Sequence, residues 1–309
     1  MLPLLLFLVT QATASQMRAG EPPAPGTYIW IGDHRLHLVC RGSGSPTVVF
    51  DAGLGGSSLD WTLVQPEVAL FTRACAYDRA GYAWSDPGPM PRDVKNIVTD
   101  LEQLLGSGSV AAPYVLVGHS LGGLVAQHFA RQHPQRIAGL VLVDATHEDQ
   151  FQRLQEALVP AGSAHPRRWS LVTTLDSYDI PDGLPEEVKL VAGTFVARPQ
   201  SIVVVRSELS YLRSAPGPVS PAEGLPDVPL VVISHRLMTP SAFTREGQFE
   251  QTWMELQQEL AALTRRSQHV IATTGDHNIH ITEPETVIEA VRGVVQQHRR
   301  AATAPPARR

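Results

Sequence analysis

This 309-residue sequence contains only two cysteines, Cys40 and Cys75, and its formal net charge is small, at −5. Two cysteines cannot build a disulfide framework or a four-ligand zinc site. The small negative charge, with a pI of about 6.2, gives no reason to expect nucleic acid as a partner. The 24 glycines and 25 prolines follow no period, which excludes collagen and repeat arrays.

Long apolar runs are missing as well. The apolar stretch at residues 1–9 is far shorter than the roughly 20 residues that a membrane-spanning helix needs, and no later segment is long enough. It precedes Ala12-Thr13-Ala14, a small-x-small pattern that predicts a secretory signal peptide at residues 1–14. Because no Lys or Arg precedes Arg18, an uncleaved N-terminal anchor or a misassigned start is the alternative. We expect an exported protein, secreted or periplasmic, with a cytoplasmic location as the alternative.

Apolar residues are plentiful, at 43% of the chain, so a large core is expected and wholesale disorder is excluded. Short Val- and Leu-rich segments alternate with amphipathic ones, which indicates an α/β protein with a mostly parallel sheet covered on both faces. The predicted strands are residues 28–32, 36–40, 47–50, 74–77, 114–117, 140–143, 229–234 and 269–272. The main predicted helices are residues 94–105, 121–131, 253–263 and 284–297.

The alternation breaks between residues 148 and 225, which are rich in Pro, Gly and Arg and carry helical fragments near 151–158 and 186–196. We interpret residues 148–225 as a lid inserted into a core of residues 26–147 and 226–298. The polar Ala/Pro/Arg segment 299–309 is expected to be a disordered tail.

The strongest motif is Gly-His-Ser-Leu-Gly at residues 118–122, which fits G-x-S-x-G. Such a match arises by chance in roughly one chain in ten of this length. The flanking sequence therefore determines whether the motif is functional. It follows the predicted strand 114–117 and opens a predicted helix, which is the strand-turn-helix arrangement of a nucleophile elbow. Side chains two residues to either side of Ser120 would collide with neighbours in such a turn, which explains the two glycines. A glycine-rich helix start with a capping serine is the alternative.

With these residues the sequence resembles the α/β-hydrolase superfamily, specifically its lidded, esterase-like members with G-H-S-L-G elbows. The resemblance covers nearly all of residues 28–297. It implies an eight-stranded sheet with the nucleophile after the fifth strand, and no metal or organic cofactor. Residues 78–85 resemble the family's stretch after the fourth strand, with Ala83 where glycine is common. We interpret that stretch as loop architecture.

A serine hydroxyl is a weak nucleophile and needs a base, and the residue order in this fold places the base near the C-terminus. His277 and His280 both follow the predicted strand 269–272. The family pattern matches His277, with His280 as a structural or substrate-lining neighbour. His119, inside the elbow, is expected to pack or bond locally, and His235 is a lesser competitor.

The base needs an acid that orients it. Most of the superfamily places this acid after the seventh strand, but no carboxylate follows residues 229–234 until Glu246. The sixth strand ends at Asp144, a position that some lidded members use, so we predict Asp144 as the acid. The alternative is that Asp144 only braces its loop and that Glu246 or Glu250 serves. Asp276, next to the base, is expected to point elsewhere.

Acyl transfer also requires hydrogen-bond donors for the developing oxyanion. The resemblance implies two backbone amides, that of Leu121 directly after the nucleophile and that of Leu54 in the loop 52–56. The family carries His-Gly-x in this loop, and here Ala52 stands where the histidine would be. A plain glycine-rich turn is the alternative.

The resemblance also makes the second and fourth strands neighbours, so that Cys40 and Cys75 can come within bonding range in an exported protein. Cross-strand disulfide geometry is often poor, and two buried free thiols are an alternative at least as well supported.

The leading prediction is therefore a serine hydrolase that cleaves a carboxylic ester of a small to medium substrate through an acyl-enzyme on Ser120. A serine disfavours dehalogenase or epoxide hydrolase chemistry, for which the same elbow carries aspartate. An amidase, aminopeptidase or acyltransferase with the same triad is the alternative, and a non-catalytic ligand-binding protein is a third reading. The expected partner is a small molecule, and the oligomeric state stays open.

Overall fold

The structure, a computed structural model, describes residues 22–158, 180–214, 224–238 and 244–303. The predicted eight-stranded α/β sheet is confirmed, with strand order β1-β2-β4-β3-β5-β6-β7-β8. Strand β2 is antiparallel to both of its neighbours, and the other adjacent pairs are parallel. The strands are β1 (Thr27–Ile31), β2 (His34–Arg41), β3 (Thr47–Asp51), β4 (Ala74–Tyr77), β5 (Tyr114–His119), β6 (Ile137–Val143), β7 (Leu230–Ser234) and β8 (Ser267–Ile271).

Helices cover both faces of this sheet. Those in the described ranges are α1 (Gln65–Ala69), α2 (Val94–Gly106), α3 (Leu121–Gln132), α4 (Gln150–Leu158), α5 (Glu186–Val196), α6 (Pro199–Arg213), α7 (Arg245–Ala261), α8 (Ile279–Thr282) and α9 (Pro284–Thr303). Helix α9 runs past its predicted end, so residues 299–303 of the predicted tail are helical. Arg299 explains the extension, because its guanidinium donates to the carbonyls of Ser45 and Phe71.

The inner strands β3 to β7 are buried along their whole length because they pack on two sides, whereas the edge strands β1 and β8 are partly exposed. Along β5, Tyr114 and Leu116 join a core cluster with α2 and α3, while Val115 and Val117 join a second cluster with α1 and α9. This alternation follows from the two-residue period of a strand. Strand β5, which precedes Ser120, is therefore packed against helices on both of its faces.

The region predicted as a lid contains α4 and α5 close to their predicted positions, and also α6, which the sequence pattern did not predict. The buried face of α6 includes Ser201 and Glu208, and these polar residues interrupt the apolar periodicity that marks a helix. Residues 159–179 and 215–223 of the predicted lid lie outside the described ranges, as do the predicted signal peptide and tail residues 304–309.

None of the described helices alone has the length and apolar composition of a membrane span. The bent pair α5 and α6, which meet at 83°, has them only when the two helices are taken together.

Cys40 and Cys75 form a disulfide. They are register partners on the antiparallel strands β2 and β4. Of the two alternatives, the disulfide is the one found. It fixes the β1–β2 hairpin to the strand that leads into residues 78–85.

Candidate active site

Ser120 occupies a sharp turn between β5 and α3, with φ 50° and ψ −119°. A positive φ crowds the Cβ of an L-residue and is uncommon outside glycine. Neighbouring backbone holds the turn, because Ser120 N donates to the carbonyl of Val143 and Ser120 O accepts from Gly123 N and Thr146 N. The surrounding backbone therefore holds Ser120 in a conformation that is unfavourable for a serine.

The two glycines of the motif have the steric reason that the sequence predicts. A Cβ on Gly118 would lie 2.3 Å from the carbonyl oxygen of Gly122. A Cβ on Gly122 would lie 2.3 Å from the carbonyl oxygen of Asp51. Both separations are far below van der Waals contact, so neither position accepts a larger residue without moving the backbone.

His277 lies in the loop after β8 with its Nδ1 2.5 Å from Oδ2 of Asp144. Because Nδ1–H must donate to the carboxylate, the other ring nitrogen, Nε2, is left to accept a proton. The ring lies 4.6 Å, centroid to centroid, from that of His119, the residue before Ser120, and His119 Nε2 donates to the carbonyl of His277. The described residues include no hydrogen bond between Ser120 Oγ and His277, a contact that often tightens only when substrate binds.

Asp144, directly after β6, has a fully buried side chain and the positive φ of 43°. Its Oδ2 accepts from His277 and from His235 Nδ1, and its Oδ1 accepts from Trp253 Nε1 at 3.0 Å. Burial raises the pKa of Asp144, but the hydrogen bonds from His235 and His277 outweigh burial and hold this pKa well below its usual range. Asp144 is therefore an ionised acceptor that both orients His277 and braces its own loop.

The other candidate carboxylates lie elsewhere. Glu246 is in the exposed first turn of α7. Glu250 accepts from the backbone N–H of Met238 at 2.8 Å, and Asp276 accepts from the backbone N–H of Asn278 at 2.7 Å. Among the described residues, Asp144 is the carboxylate that hydrogen-bonds to His277, the predicted base.

His235, predicted as a lesser competitor for the base, instead hydrogen-bonds to the predicted acid. Its Nδ1 donates to Asp144 Oδ2 at 2.8 Å and its backbone N–H to Oδ1 at 3.2 Å. Burial lowers the pKa of His235, but Asp144, with smaller contributions from Glu250 and Asp276, more than offsets this and raises it. Its position one residue after β7, beside the end of β6, was the available signal for this contact.

His119 and His280 form an inner aromatic layer behind His277. Their rings lie 4.3 Å apart, and His280 also lies 4.8 Å from Trp61. Burial, with the nearby His277, lowers the pKa of His280 to about 3. Burial, with His280 and His277, also places the pKa of His119 well below its usual range. Both rings are therefore neutral near pH 7, and His280 has the structural position predicted as one of its two roles.

The segments that carry the two predicted oxyanion donors both adjoin Ser120. A Cβ on Gly53 would lie 3.3 Å from Ser120 Cβ, so the loop that carries Leu54 passes directly beside the serine. Leu121 is the first residue of α3, where an N–H has no intrahelical partner and the helix dipole favours negative charge. That these amides bind an oxyanion stays a prediction.

Residues 78–85 act as loop architecture, as the sequence predicts. Asp78 accepts from Ser58 N at 2.7 Å and contacts His37 Nδ1 at 2.8 Å. Ser85 Oγ donates to the Asp78 carbonyl. Ala83 keeps the positive φ, 39°, that glycine would supply without strain.

A cavity of about 280 Å³ opens next to this loop, between the core and the helices α5 and α6. Its walls are mainly apolar, and Asp60 and Arg206 are the charged residues that line it. Representative apolar wall residues are Ala83, Phe195, Ile202 and Val205. Gly55, the residue that follows Leu54, also lines the cavity. Within the described ranges, no three His, Cys, Asp or Glu side chains are grouped so as to hold a metal ion.

Comparison with known proteins gives consistent results. The profile of the "Alpha/beta hydrolase family" matches residues 48–290. The uncharacterized protein YqjL of Bacillus subtilis is 27% identical over 260 residues, covering 82% of this chain and 85% of that protein. A thermophilic esterase from Thermogutta terrifontis has a TM-score of 0.60 at 20% identity, covering 86% of this chain and 94% of its own. Epoxide hydrolase CorEH has a TM-score of 0.62 at 20% identity, covering 88% and 98%. At such identity a structural likeness shows the fold alone, and one fold hosts several chemistries.

Proposed function

Because this chain belongs to the alpha/beta hydrolase family, we propose that it is a serine hydrolase that cleaves carboxylic esters of small to medium size. The observation that carries the proposal is the 2.5 Å contact between His277 Nδ1 and the buried carboxylate of Asp144, beside the strained turn at Ser120. A histidine oriented by a carboxylate next to a serine is the arrangement that activates a hydroxyl for acyl transfer.

In the proposed reaction His277 Nε2 takes the proton of Ser120 as Oγ attacks the ester carbonyl carbon. The carbonyl oxygen becomes an alkoxide, which the amides of Leu54 and Leu121 stabilise. When the tetrahedral intermediate collapses, the protonated His277 gives its proton to the leaving alcohol and an acyl-enzyme forms. Water, deprotonated by His277, then releases the acid and restores Ser120. Asp144 stays ionised throughout and stabilises the imidazolium.

A serine at the turn supports ester cleavage over the epoxide hydrolase chemistry named for CorEH, because in that chemistry the elbow supplies an aspartate nucleophile. The mainly apolar cavity of about 280 Å³, which Gly55 next to Leu54 in the chain helps to line, supports a small to medium acyl or alcohol group, since ligand pockets of this kind bury apolar surface. An amidase, aminopeptidase or acyltransferase with the same three residues is the competing proposal.

Labelling with a fluorophosphonate probe tests the catalytic proposal. Wild type should be labelled once, Ser120→Ala should not be labelled, and Ser107→Ala, a serine at the end of α2, should be labelled like wild type. A panel of p-nitrophenyl esters and aminoacyl amides then separates the two enzyme classes. Turnover of amides but not esters, or labelling that survives Ser120→Ala, would contradict the proposal.

We also propose that the protein is exported. The Cys40–Cys75 disulfide supports this, because thiols in the cytosol of most organisms are kept reduced. N-terminal sequencing of the protein recovered from a secreting host should begin after Ala14. A full-length, cytosolic product beginning at Met1 would contradict it.

A further inference from the structure

Arg79 is a buried cation that contacts the loop carrying Leu54. Its side chain is 2% exposed. Its Nη1 donates to the carbonyl oxygen of Ala52 and its Nη2 to that of Gly53 at 2.6 Å. One guanidinium thus binds two successive carbonyls, which a forked planar donor can do and a lysine ammonium cannot do in the same geometry.

These contacts determine the direction of a predicted oxyanion donor. The carbonyl of Gly53 and the N–H of Leu54 belong to one peptide unit, and in a planar trans peptide they point in opposite directions. By holding the Gly53 carbonyl, Arg79 turns the Leu54 N–H away from itself. The same loop contacts Ser120, since a Cβ on Gly53 would lie 3.3 Å from Ser120 Cβ.

Arg79 is held in turn by helix α6. Its Nε donates to Glu208 Oε1 at 3.2 Å and its Nη2 to Glu208 Oε2 at 3.3 Å, while the Tyr82 hydroxyl donates to Oε2 at 2.7 Å. Glu208 is 1% exposed, and a buried carboxylate is tolerated only while it is paired. Helix α6 also supplies Ile202 and Val205 to the cavity wall, so one helix both bounds the cavity and supports Arg79.

We propose that Arg79 is a positioning residue for the oxyanion donor Leu54, and that Glu208 makes this position depend on the seating of α6. The proposal rests on the proposed function, because it concerns the same acyl transfer. Arg79 also pairs with Asp51 of β3, whose Oδ1 accepts from Nη1 at 2.8 Å. When α6 is displaced, Arg79 keeps Asp51 but loses Glu208, so its guanidinium and the peptide unit 53–54 are held less firmly. Transition-state stabilisation therefore weakens when α6 is displaced, whereas an apolar substrate group bound in the cavity would depend on the apolar wall alone.

The test compares Arg79→Lys and Glu208→Gln with Arg92→Lys. Arg92 is a matched control, since it is also fully buried, pairs with Asp100 at 2.7 Å and donates to the carbonyl of Pro89, yet its hydrogen bonds within the described ranges reach neither Ser120 nor its loop. Its bond to α6 is from its backbone N–H to Ser207 Oγ at 2.8 Å, which a lysine keeps. All three variants lose an element of a buried ion pair and should lose stability. We expect kcat to fall about 100-fold in Arg79→Lys, the scale of losing one oxyanion donor, and about 10-fold in Glu208→Gln. KM should change less than 3-fold, and Arg92→Lys should keep kcat within 2-fold per folded molecule.

The affinity for a trifluoromethyl ketone that matches the best ester is a second measurement, and a purely structural role of Arg79 would leave it unchanged. Ser120 Oγ adds to the carbonyl carbon of the ketone, the proton passes to His277, and the resulting hemiketal oxyanion needs the same donors as the transition state. Its affinity should fall in Arg79→Lys and Glu208→Gln in proportion to kcat/KM. In Arg92→Lys its affinity should equal that of wild type.

The possible results separate the positioning role of Arg79 from its coupling to α6. Unchanged kcat and unchanged ketone affinity in folded Arg79→Lys would overturn the positioning role, and the same result in Glu208→Gln alone would overturn the coupling to α6. If Arg79→Lys does not fold, Glu208→Gln carries the test. A wild type that is folded but turns over no ester would instead overturn the proposed function, and this proposal with it.

Discussion

His235 lies with its Nδ1 2.8 Å from Oδ2 of the buried Asp144. Since Asp144 raises the pKa of His235 despite its burial, protonated His235 stabilises the fold. This contribution is fully present below the unfolded pKa of about 6.5 and is lost as pH rises through the higher folded pKa.

His235→Phe should therefore reduce the free energy of unfolding by about 2 kcal/mol at pH 6, the scale of a hydrogen bond to a charged group, and by less at pH 9. Urea denaturation at the two pH values measures this. Because the backbone N–H of His235 still donates to Asp144, kcat should fall less than 10-fold. An equal or larger loss of stability at pH 9 would contradict the prediction.

Asp144→Asn should lower kcat by on the order of 10⁴-fold, because an amide cannot stabilise the imidazolium and favours the wrong tautomer of His277. Glu246→Gln, in the exposed first turn of α7, is the control and should retain kcat within 2-fold. Steady-state kinetics on the best p-nitrophenyl ester compare the two. Equal and mild losses from both would mean that the acid is misassigned.

The folded protein should lose stability as pH falls from about 6.5. His280 and His128 have folded pKa values lowered by burial to about 3 and about 4, respectively. Between these values and the unfolded pKa the unfolded chain binds more protons, so stability rises with pH in that window. Replacement of His280 by Phe should remove one proton from this difference and flatten the slope by on the order of 1 kcal/mol per pH unit. Denaturant melts at pH 4.5, 5.5 and 6.5 measure the slope, and a slope equal to that of wild type would be inconsistent with a neutral, buried His280.

The Cys40–Cys75 disulfide closes a loop with a sequence separation of 35 residues. On the chain-entropy estimate such a loop contributes about 3–4 kcal/mol. The double variant Cys40→Ala/Cys75→Ala should lose about this much stability, and wild type treated with reductant should lose a similar amount. A thiol assay on denatured, unreduced protein from a secreting host should find no free thiol. Two free thiols per chain would refute the pairing.

Ala83→Gly should stabilise the protein by about 1 kcal/mol, because Ala83 has φ 39° and glycine adopts this region without crowding. Ala80→Gly, three residues earlier and fully buried, serves as the control and should destabilise the protein through lost packing and added chain entropy. Thermal melts rank the three proteins. A lower Tm for Ala83→Gly would show that the lost methyl contacts outweigh the relieved strain.

Strand positions were predictable because the buried strands are short apolar runs with clear boundaries. The β5–turn–α3 unit is the best example, since its two glycines have a steric requirement that sequence reasoning can state in advance. The pair Asp144 and His277, 133 residues apart, was predictable because both follow parallel strands whose carboxyl ends meet at one edge.

Contacts that depend on side-chain direction were not predictable. Helix α6 was missed because Glu208 faces the core, where periodicity expects an apolar residue. The carboxylate is stable there only because Arg79 and Tyr82 meet it, and pairing between distant elements leaves no local pattern. The contact of His235 with Asp144 was also not predicted, although the position of His235 directly after β7, beside the end of β6, was a signal for it.

The position of the cavity wall bears on how substrate range can diversify. Ile202 and Val205 on α6, with Phe195 on α5, line the cavity from outside the sheet. Exchanges among apolar residues at such positions alter cavity shape without touching the strands on which folding depends. Glu208 on the same helix does not share this freedom, because its carboxylate pairs with Arg79 inside the core. We therefore expect the sequence of α6 to diverge unevenly among descendants of this protein. Substitutions should accumulate rapidly at Ile202 and Val205, which face the cavity, and slowly at Glu208.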